Sequence, residues 1–345
     1  MAKKKINVLV ICGGPSNERE VSLKTGLQIA KALPKDKYQL TLAEISKEGK
    51  WLLRGNPAQF LDGPKNFSKA LVPAGNNQEF RGFDVAFVGM HGRFGEDGRV
   101  QALLEMIGVP YTGSGVLASA LGMNKLKTLE IISRVGVTVP KFIALRALPQ
   151  KQNIPALQSK IKKEIGYPCV VKPNESGSSI GISIVRKPKD LANAIRTAFN
   201  EDRTVLIEQY IKGKEVTCAV MGNTGQTAIT ALPPIEIIPA GEFFDYDSKY
   251  FSAETKEICP ARITKKQAEA VQKLAQKVHA TIGCDGLSRS DFILTDKGKF
   301  YFLEINTIPG LTEASLAPKA ASAHGMPFPD FLDAQIKLAI LRGTA

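Results

Sequence analysis

Two apolar segments near the end of the chain, Leu287–Leu294 and Phe300–Asn306, carry charged and amide side chains where buried strands ordinarily hold only aliphatic ones. The first reads Leu-Ser-Arg-Ser-Asp-Phe-Ile-Leu and the second Phe-Tyr-Phe-Leu-Glu-Ile-Asn, with Asp296-Lys-Gly-Lys299 between them. Side chains alternate faces along a strand, so Arg289 shares a face with Asp291, and Glu304 with Asn306. A two-residue hairpin tip at Lys297-Gly298 would pair Asp291 with Glu304 and Arg289 with Asn306. One sheet face then holds two carboxylates, an amide and a guanidinium. Carboxylates that close repel each other unless a cation lies between them. Oxygen donors without Cys or His favour a hard ion such as Mg²⁺ or Mn²⁺. A salt-bridged surface strand is the plainer alternative, but it leaves the polar interruptions of such apolar strands unexplained.

Mg²⁺ held by few protein ligands usually shares a phosphate. A segment suited to phosphate occurs at Ser176-Gly-Ser-Ser-Ile-Gly181. Its glycines let backbone N–H groups approach phosphate oxygens, its serines add donors, and Lys172 just before it supplies a point charge. Alone this loop reads equally well as an ordinary hairpin turn; beside the paired carboxylates it reads as a nucleotide site.

The rest of the chain divides by rhythm. A continuous apolar strand at 6–11, a helix from Glu20 to Leu33, an alternating strand at 39–45, a strand at 84–89 and a helix at 99–107 make a βαβ pattern and predict a parallel sheet. Residues 47–81 carry no assignable pattern. From 125 to 209, strands at 141–145, 169–172, 182–185 and 204–209 alternate with helices at 125–135, 157–165 and 190–199, an α+β arrangement around the glycine–serine loop. Strands at 216–221 and 235–238, helices at 265–282 and 328–341, and the polar strand pair complete the chain. Between them, residues 241–260 form a long loop rich in Phe and Tyr, whose length and aromatic content point to a functional lid.

Bulk properties narrow the function classes. The chain has 345 residues, enough for two or three domains, and 43% hydrophobic residues, enough to bury several cores. No apolar run is long enough to span a bilayer, and the cytoplasm is the expected location. Five cysteines, Cys12, Cys169, Cys218, Cys259 and Cys284, and three histidines are too scattered for a disulfide framework or a zinc site. The net charge of +13 is open to a nucleic-acid reading. A solvated lysine-rich surface explains it better, because no aromatic-interleaved stripe accompanies the lysines.

Ordered motifs carry a further signal. They are Gly13-Gly-Pro-Ser-Asn-Glu18-Arg-Glu-Val-Ser-Leu, His91-Gly-Arg-Phe-Gly-Glu-Asp-Gly98, Tyr111-Thr-Gly-Ser-Gly-Val-Leu-Ala-Ser-Ala and Val171-Lys172-Pro. After them come Gly177-Ser-Ser-Ile-Gly181, Tyr246-Asp-Ser-Lys249-Tyr250, Ser288-Arg-Ser-Asp291 and Glu304-Ile-Asn306-Thr-Ile-Pro-Gly310-Leu-Thr. In order and spacing the chain resembles, over essentially its whole length, the D-alanine–D-alanine ligases of the ATP-grasp superfamily.

That resemblance implies a three-domain architecture of mixed α/β and α+β class. An N-terminal parallel α/β domain at 1–113 would bind substrate, and a central ATP-grasp subdomain at 114–208 would carry the phosphate loop. A C-terminal subdomain at 209–345 would carry the lid and the Mg²⁺ site. It implies ligation of two D-alanines through a D-alanyl phosphate, for peptidoglycan precursor synthesis, with ATP and two Mg²⁺ ions (Mn²⁺ as a substitute). A homodimer is expected, with no nucleic acid or membrane partner.

By matched position, Lys125, Lys172 and Lys249 would contact phosphates, Ser178 and Ser179 would close over them, and Glu208, Ile211 and Glu215 would hold the adenine and ribose. Asp291, Glu304 and Asn306 would hold the metal. Glu18 would bind the first ammonium, although a residue before a helix is by itself more readily a cap. His91 would lie beside the first substrate. Arg289 and the Gly310 N–H would stabilise the oxyanion, Ser315 and Leu316 would take the second carboxylate, and Tyr250 would link Ser178 to Glu18. Relatives that make D-alanyl-D-lactate or D-alanyl-D-serine are the nearest alternative, and Tyr250 in the lid favours D-alanine. Ser176, Gln209 and residues 47–81 depart from the family pattern.

Overall fold

The computed structural model describes residues 4–53, 69–71, 82–177, 180–239 and 255–343. Strand β1 (Ile6–Gly13) is almost wholly buried, as a strand covered on both faces must be. It pairs in parallel with β2 (Tyr38–Ile45) and β5 (Val85–Val88). Helix α1 (Arg19–Ala32) makes the crossover from β1 to β2, and α2 (Arg99–Met106) follows β5. Two short strands, β3 (Trp51–Leu53) and β4 (Lys69–Leu71), add antiparallel beyond β2, giving the order β4-β3-β2-β1-β5. The sheet is parallel where the βαβ rhythm predicts it and antiparallel in the segment that carries no readable pattern.

Helices α3 (Val116–Met123) and α4 (Lys125–Arg134) lead out of this unit. The sequence pattern does not reveal α3, whose Val-Leu-Ala-Ser-Ala-Leu-Gly-Met is apolar on every side and shows no helical stripe. The second sheet is antiparallel, in the order β6 (Phe142–Leu145), β9 (Val205–Gln209), β7 (Cys169–Pro173), β8 (Ser183–Val185). Helices α5 (Ile154–Glu164) and α6 (Leu191–Glu201) accompany it. α6 buries Leu191, Ala194, Ile195 and Ala198, one face at helical spacing.

The third sheet runs β13 (Lys256–Ile258), β12 (Ile235–Ile238), β10 (Lys214–Met221), β14 (Leu287–Leu294), β15 (Phe300–Asn306), with β11 (Thr230–Ala231) beside β10. Helix α7 (Lys265–Ile282) starts at a capping box of Thr264 and Gln267. It packs with α4 on one face of this sheet through Val271, Ala275, Val278, Leu129 and Phe292. The opposite face carries the polar side chains.

Helices α8 (Leu316–Ala323) and α9 (Phe328–Arg342) end the chain, and they join the core of the first sheet. Phe331, Leu332 and Ile336 are fully buried there, each worth about 1.5–3 kcal/mol on burial. Asp333 accepts from Tyr38 Oη at 2.5 Å and pairs with Lys37 and Lys337. Arg342 stacks 4.2 Å over the Tyr111 ring and donates to the Tyr111 carbonyl. A boundary at residue 113 therefore divides the sequence but not this core. The described cysteines are free thiols, all buried except half-buried Cys259.

Candidate functional site

The polar face of the third sheet has the pairing expected from the sequence, reached by a different route. Asp291 pairs with Glu304 and Arg289 with Asn306. The tip is not a two-residue turn at 297–298. Thr295 and Lys299 close a three-residue loop ending in left-handed Gly298, which pairs Leu294 with Phe300 and Phe292 with Phe302. A register shift between Asp291 and Phe292 then restores the pairing at the site. That β-bulge has a chemical consequence. Strict alternation from Phe302, which packs in the core against Phe292 at 5.7 Å, would send Glu304 into the core as well. The extra residue resets the phase, and Glu304 faces the cleft while Ile305 returns to the core.

Asp291 lies at the centre of this face. Arg289 holds it with two parallel bonds, Nε to Oδ1 and Nη2 to Oδ2, both 2.9 Å. Thr217 Oγ donates to Oδ1 at 2.5 Å and Asn306 Nδ2 to Oδ2 at 3.3 Å. Burial works against the Arg289 charge, but Asp291, Glu304 and Glu96 outweigh it and hold its pKa above the usual guanidinium range. Among the described residues no three His, Cys, Asp or Glu side chains cluster for a metal. The set here is two carboxylates across a strand pair plus the amide of Asn306, hard oxygen donors suited to Mg²⁺. A ligating Asn306 would present its carbonyl oxygen, and the choice between amide oxygen and nitrogen follows the hydrogen-bond partners present.

This face forms one wall of a cleft of about 390 Å³. Glu18, His91, Lys125, Arg289, Glu304, Asn306, Gly310, Ser315 and Leu316 all line it. Glu18 stands at the N-cap position of α1 but makes no side-chain capping bond. Its carboxylate instead lies against two glycines. A Cβ on Gly177 would come within 2.9 Å of Oε2, and one on left-handed Gly92 would collide with the same oxygen. The first motif, the His91 motif and the start of the phosphate loop therefore meet at one carboxylate.

His91 is buried and neutral. Its Nδ1 lies 3.1 Å from the Ile308 carbonyl, which can only accept, so Nδ1 carries the proton. Nε2 then accepts from Thr25 Oγ1 at 2.9 Å. Burial pushes its pKa down, more than the Glu18 charge lifts it. In the same loop Phe94 has a left-handed backbone (φ 73°), rare for an aromatic residue. The turn directs Glu96 inward, where its oxygens accept from Gly92 N–H (2.8 Å) and Ile308 N–H (3.0 Å). Burial, then the Glu18 charge, push its pKa up, while the two peptide N–H bonds and the Arg289 charge pull it back toward the ionised form.

Lys125 joins the cleft to the second sheet. Its ammonium donates to the Ser176 carbonyl at 2.8 Å and lies 3.4 Å from Glu304 Oε2. Lys172 and Glu208 form a buried ion pair at 2.8 Å on neighbouring strands β7 and β9. The Glu208 oxygen in that pair nevertheless accepts no well-directed hydrogen bond, so it retains acceptor capacity. Among the described residues, Lys172, Glu208, Ile211 and Glu215 stand outside the cleft lining, and so does Asp291, which lies behind Arg289 and Asn306. Glu215 does share the polar sheet face, two residues from Thr217 and opposite Ile293. Ser178, Ser179, Lys249 and Tyr250 lie outside the described residues.

At the far end of the cleft, Ser315 precedes α8 as its N-cap, with its hydroxyl 2.7 Å from that of Thr312. Leu316 N–H, the first of the helix, has no intrahelical partner. The Gly310 N–H is likewise absent from the backbone bonds of the described residues. The sequence reading names neither Glu96 nor Thr217 as a site residue. Glu96 lies inside a quoted motif, but its inward turn depends on a backbone conformation that residue identity does not announce. Thr217 has a visible signal: it is a polar residue at the alternate position from Glu215 on an apolar strand.

Known proteins resemble this chain over nearly its whole length. Residues 7–114 match the family model described as D-ala D-ala ligase N-terminus, and residues 131–337 the one described as D-ala D-ala ligase C-terminus. The chain is 40% identical over 336 residues to a D-alanine--D-alanine ligase of Pelotomaculum thermopropionicum, covering 97% of each. It is 42% identical to one of Syntrophotalea carbinolica, covering 99% of this chain and 98% of the relative. Among solved structures, the D-alanine-D-alanine ligase from Coxiella burnetii superposes with a TM-score of 0.85 at 30% identity, covering 99% of this chain and 95% of that one. The VanG D-Ala:D-Ser ligase from Enterococcus faecalis gives the same score at 31% identity, covering 97% and 100%.

Proposed function

The chain belongs to the D-alanine–D-alanine ligase family, with its ATP-grasp fold, and from that premise we propose how its own residues divide the work. The reaction is the ATP-dependent joining of two D-alanines into the dipeptide used for peptidoglycan precursors. The carrying observation is that Asp291, Glu304 and Asn306 share one sheet face with Arg289, beside Glu18 and the Gly310 N–H.

Glu18 holds the ammonium of the first D-alanine, with His91 beside it. Lys125 and Lys172 steer the ATP phosphates, joined by Lys249 and by Ser178 and Ser179. Glu208 takes the adenine amino group, the Ile211 backbone supports the ring, and Glu215 takes the ribose hydroxyls. Two Mg²⁺ ions held by Asp291, Glu304 and Asn306 would neutralise phosphate charge during phosphoryl transfer. The first carboxylate attacks the γ-phosphorus, forming an acyl phosphate and releasing ADP. The amine of the second D-alanine, held through its carboxylate by Ser315 and the Leu316 N–H, then attacks the acyl carbon. Arg289 has spent two of its five N–H donors on Asp291; the others, with the Gly310 N–H, stabilise the oxyanion. Collapse forms the amide bond and expels inorganic phosphate. Tyr250 completes closure over Ser178 and Glu18, excluding water from the acyl phosphate.

We assign substrate binding to residues 1–113, the phosphate loop to 114–208 and the metal site to 209–345. The assembly is a homodimer by resemblance. The location is the cytoplasm, where ATP is supplied, and no helix of the described residues is long and apolar enough to cross a membrane. The D-alanyl-D-lactate and D-alanyl-D-serine readings are not favoured, because the full-length relatives above are D-alanine--D-alanine ligases.

Phosphate release and dipeptide mass, measured with Mg-ATP and D-alanine, L-alanine or neither, test the reading. Release should require D-alanine and Mg²⁺, and Glu304→Gln should lower kcat by on the order of 10³-fold, about 4 kcal/mol. Equal release with L-alanine would overturn the substrate assignment.

A further inference from the structure

The Ile308 peptide is gripped on both sides. His91 Nδ1–H donates to its carbonyl, and its N–H donates to Glu96 Oε1. The second Glu96 oxygen accepts the N–H of Gly92, the residue after His91, so one carboxylate ties the base of its own loop to the end of β15. Thr25, donating from α1 to His91 Nε2, fixes the tautomer that makes the carbonyl contact possible. Ile308 and Leu311 are buried on either side of the pair Pro309-Gly310, which lines the cleft. The segment is therefore held at its start by two side chains, one of them steadied by Thr25, and left open where Gly310 meets the reacting groups.

We infer that Glu96 is a positioning residue of the ligation: by holding the Ile308 and Gly92 peptides on its two oxygens, it fixes the segment that presents the Gly310 N–H to the acyl oxygen. This rests on the reading of Gly310 as an oxyanion donor. The chemistry calls for a carboxylate at this position. Both oxygens accept from N–H groups, and an amide of the same shape has one acceptor only. A glutamine would turn its NH₂ toward a peptide N–H, leaving one donor unmet and pushing the two segments apart. An oxyanion hole works by donors fixed before the charge develops, so a displacement of the donor by a fraction of an ångström is felt in the transition state more than in substrate binding.

The test is Glu96→Gln in the full chain, with kcat, KM for ATP and for D-alanine, nucleotide affinity and deuterium exchange over residues 307–311. The expected result is a fall in kcat of about 10–100-fold, with both KM values and nucleotide affinity within about threefold, and faster exchange at 307–311. A kcat within twofold of the parent overturns the inference. So does a loss of nucleotide affinity in step with kcat, which would make Glu96 a residue of the general fold. If the parent itself fails to release phosphate with D-alanine, the reading of the reaction fails and not the clamp.

Discussion

The β14–β15 hairpin and the loop at 91–98 deliver charged groups to the same cleft by opposite means. On the hairpin, Arg289, Asp291, Glu304 and Asn306 occupy positions set by strand pairing, and charge is balanced by charge, Arg289 against Asp291. On the loop, left-handed Gly92, Phe94 and Gly98 aim the chain. The Glu96 carboxylate there is bonded by two peptide N–H groups, and the Arg289 charge reaches it without forming an ion pair. The hairpin should thus be sensitive to the loss of a charge and the loop to the gain of an atom.

The largest expected effect breaks the hairpin's balance. Asp291→Asn leaves the Arg289 guanidinium buried without its bidentate partner, a change that costs about 3–5 kcal/mol of stability, and it removes a proposed metal ligand. Both melting temperature and activity should fall. Adding Arg289→Met removes the orphaned charge, so much of the stability should return while activity stays lost. If the double variant melts as low as the single one, the Arg289–Asp291 pair is not what balances this face.

The same contrast governs what the sequence discloses. The polar hairpin is legible because a period of two assigns each residue to a face, and the pairing of Asp291 with Glu304 follows from simple register counting. Even there the counting succeeds through two offsetting departures: a longer turn shifts the register by one, and a bulge shifts it back. Neither is visible in the pattern, because Asp-Lys-Gly suits two-residue and three-residue turns alike. The loop is legible only as a motif. Nothing in His-Gly-Arg-Phe-Gly-Glu-Asp-Gly tells that Glu96 turns inward while Arg93 is exposed. Helix α3 escapes for a related reason, since a uniformly apolar helix shows no stripe, and the burial of α8 and α9 against the first sheet escapes because an apolar face names no partner.

The core side of the hairpin supplies a second, smaller effect. Ser288 Oγ lies 2.7 Å from His279 Nδ1, and His279 Nε2 lies 3.1 Å from the Gly222 carbonyl. Burial lowers the His279 pKa to about 4. The unfolded chain therefore binds a proton near pH 6.5 that the folded chain refuses until about pH 4. Stability present above pH 6.5 is lost as pH falls through that window, by at most about 3 kcal/mol from this residue. Denaturant unfolding at pH 7 and pH 4.5 should show a smaller difference in His279→Gln than in the parent. An unchanged difference would show that His279 does not couple the hairpin to pH.

Gly92→Ala isolates the loop's side of the comparison, with the smallest expected effect and the sharpest control. A left-handed backbone at a non-glycine residue costs about 1–2 kcal/mol. Gly136 provides that cost alone: its φ is 80°, and no atom lies within 4 Å of where its Cβ would stand. At Gly92 (φ 72°) the added carbon also meets Glu18 Oε2. The two alanine variants should therefore lose similar stability, while only Gly92→Ala displaces the carboxylate proposed to receive the first ammonium. Its KM for D-alanine should rise several-fold, with KM for ATP unchanged, and Gly136→Ala should leave both values alone. Matching kinetics in the two variants would mean that the loop merely closes the fold. A rise confined to Gly92→Ala would mean that one missing methyl group keeps Glu18 aimed, a task that no charge on the hairpin performs for it.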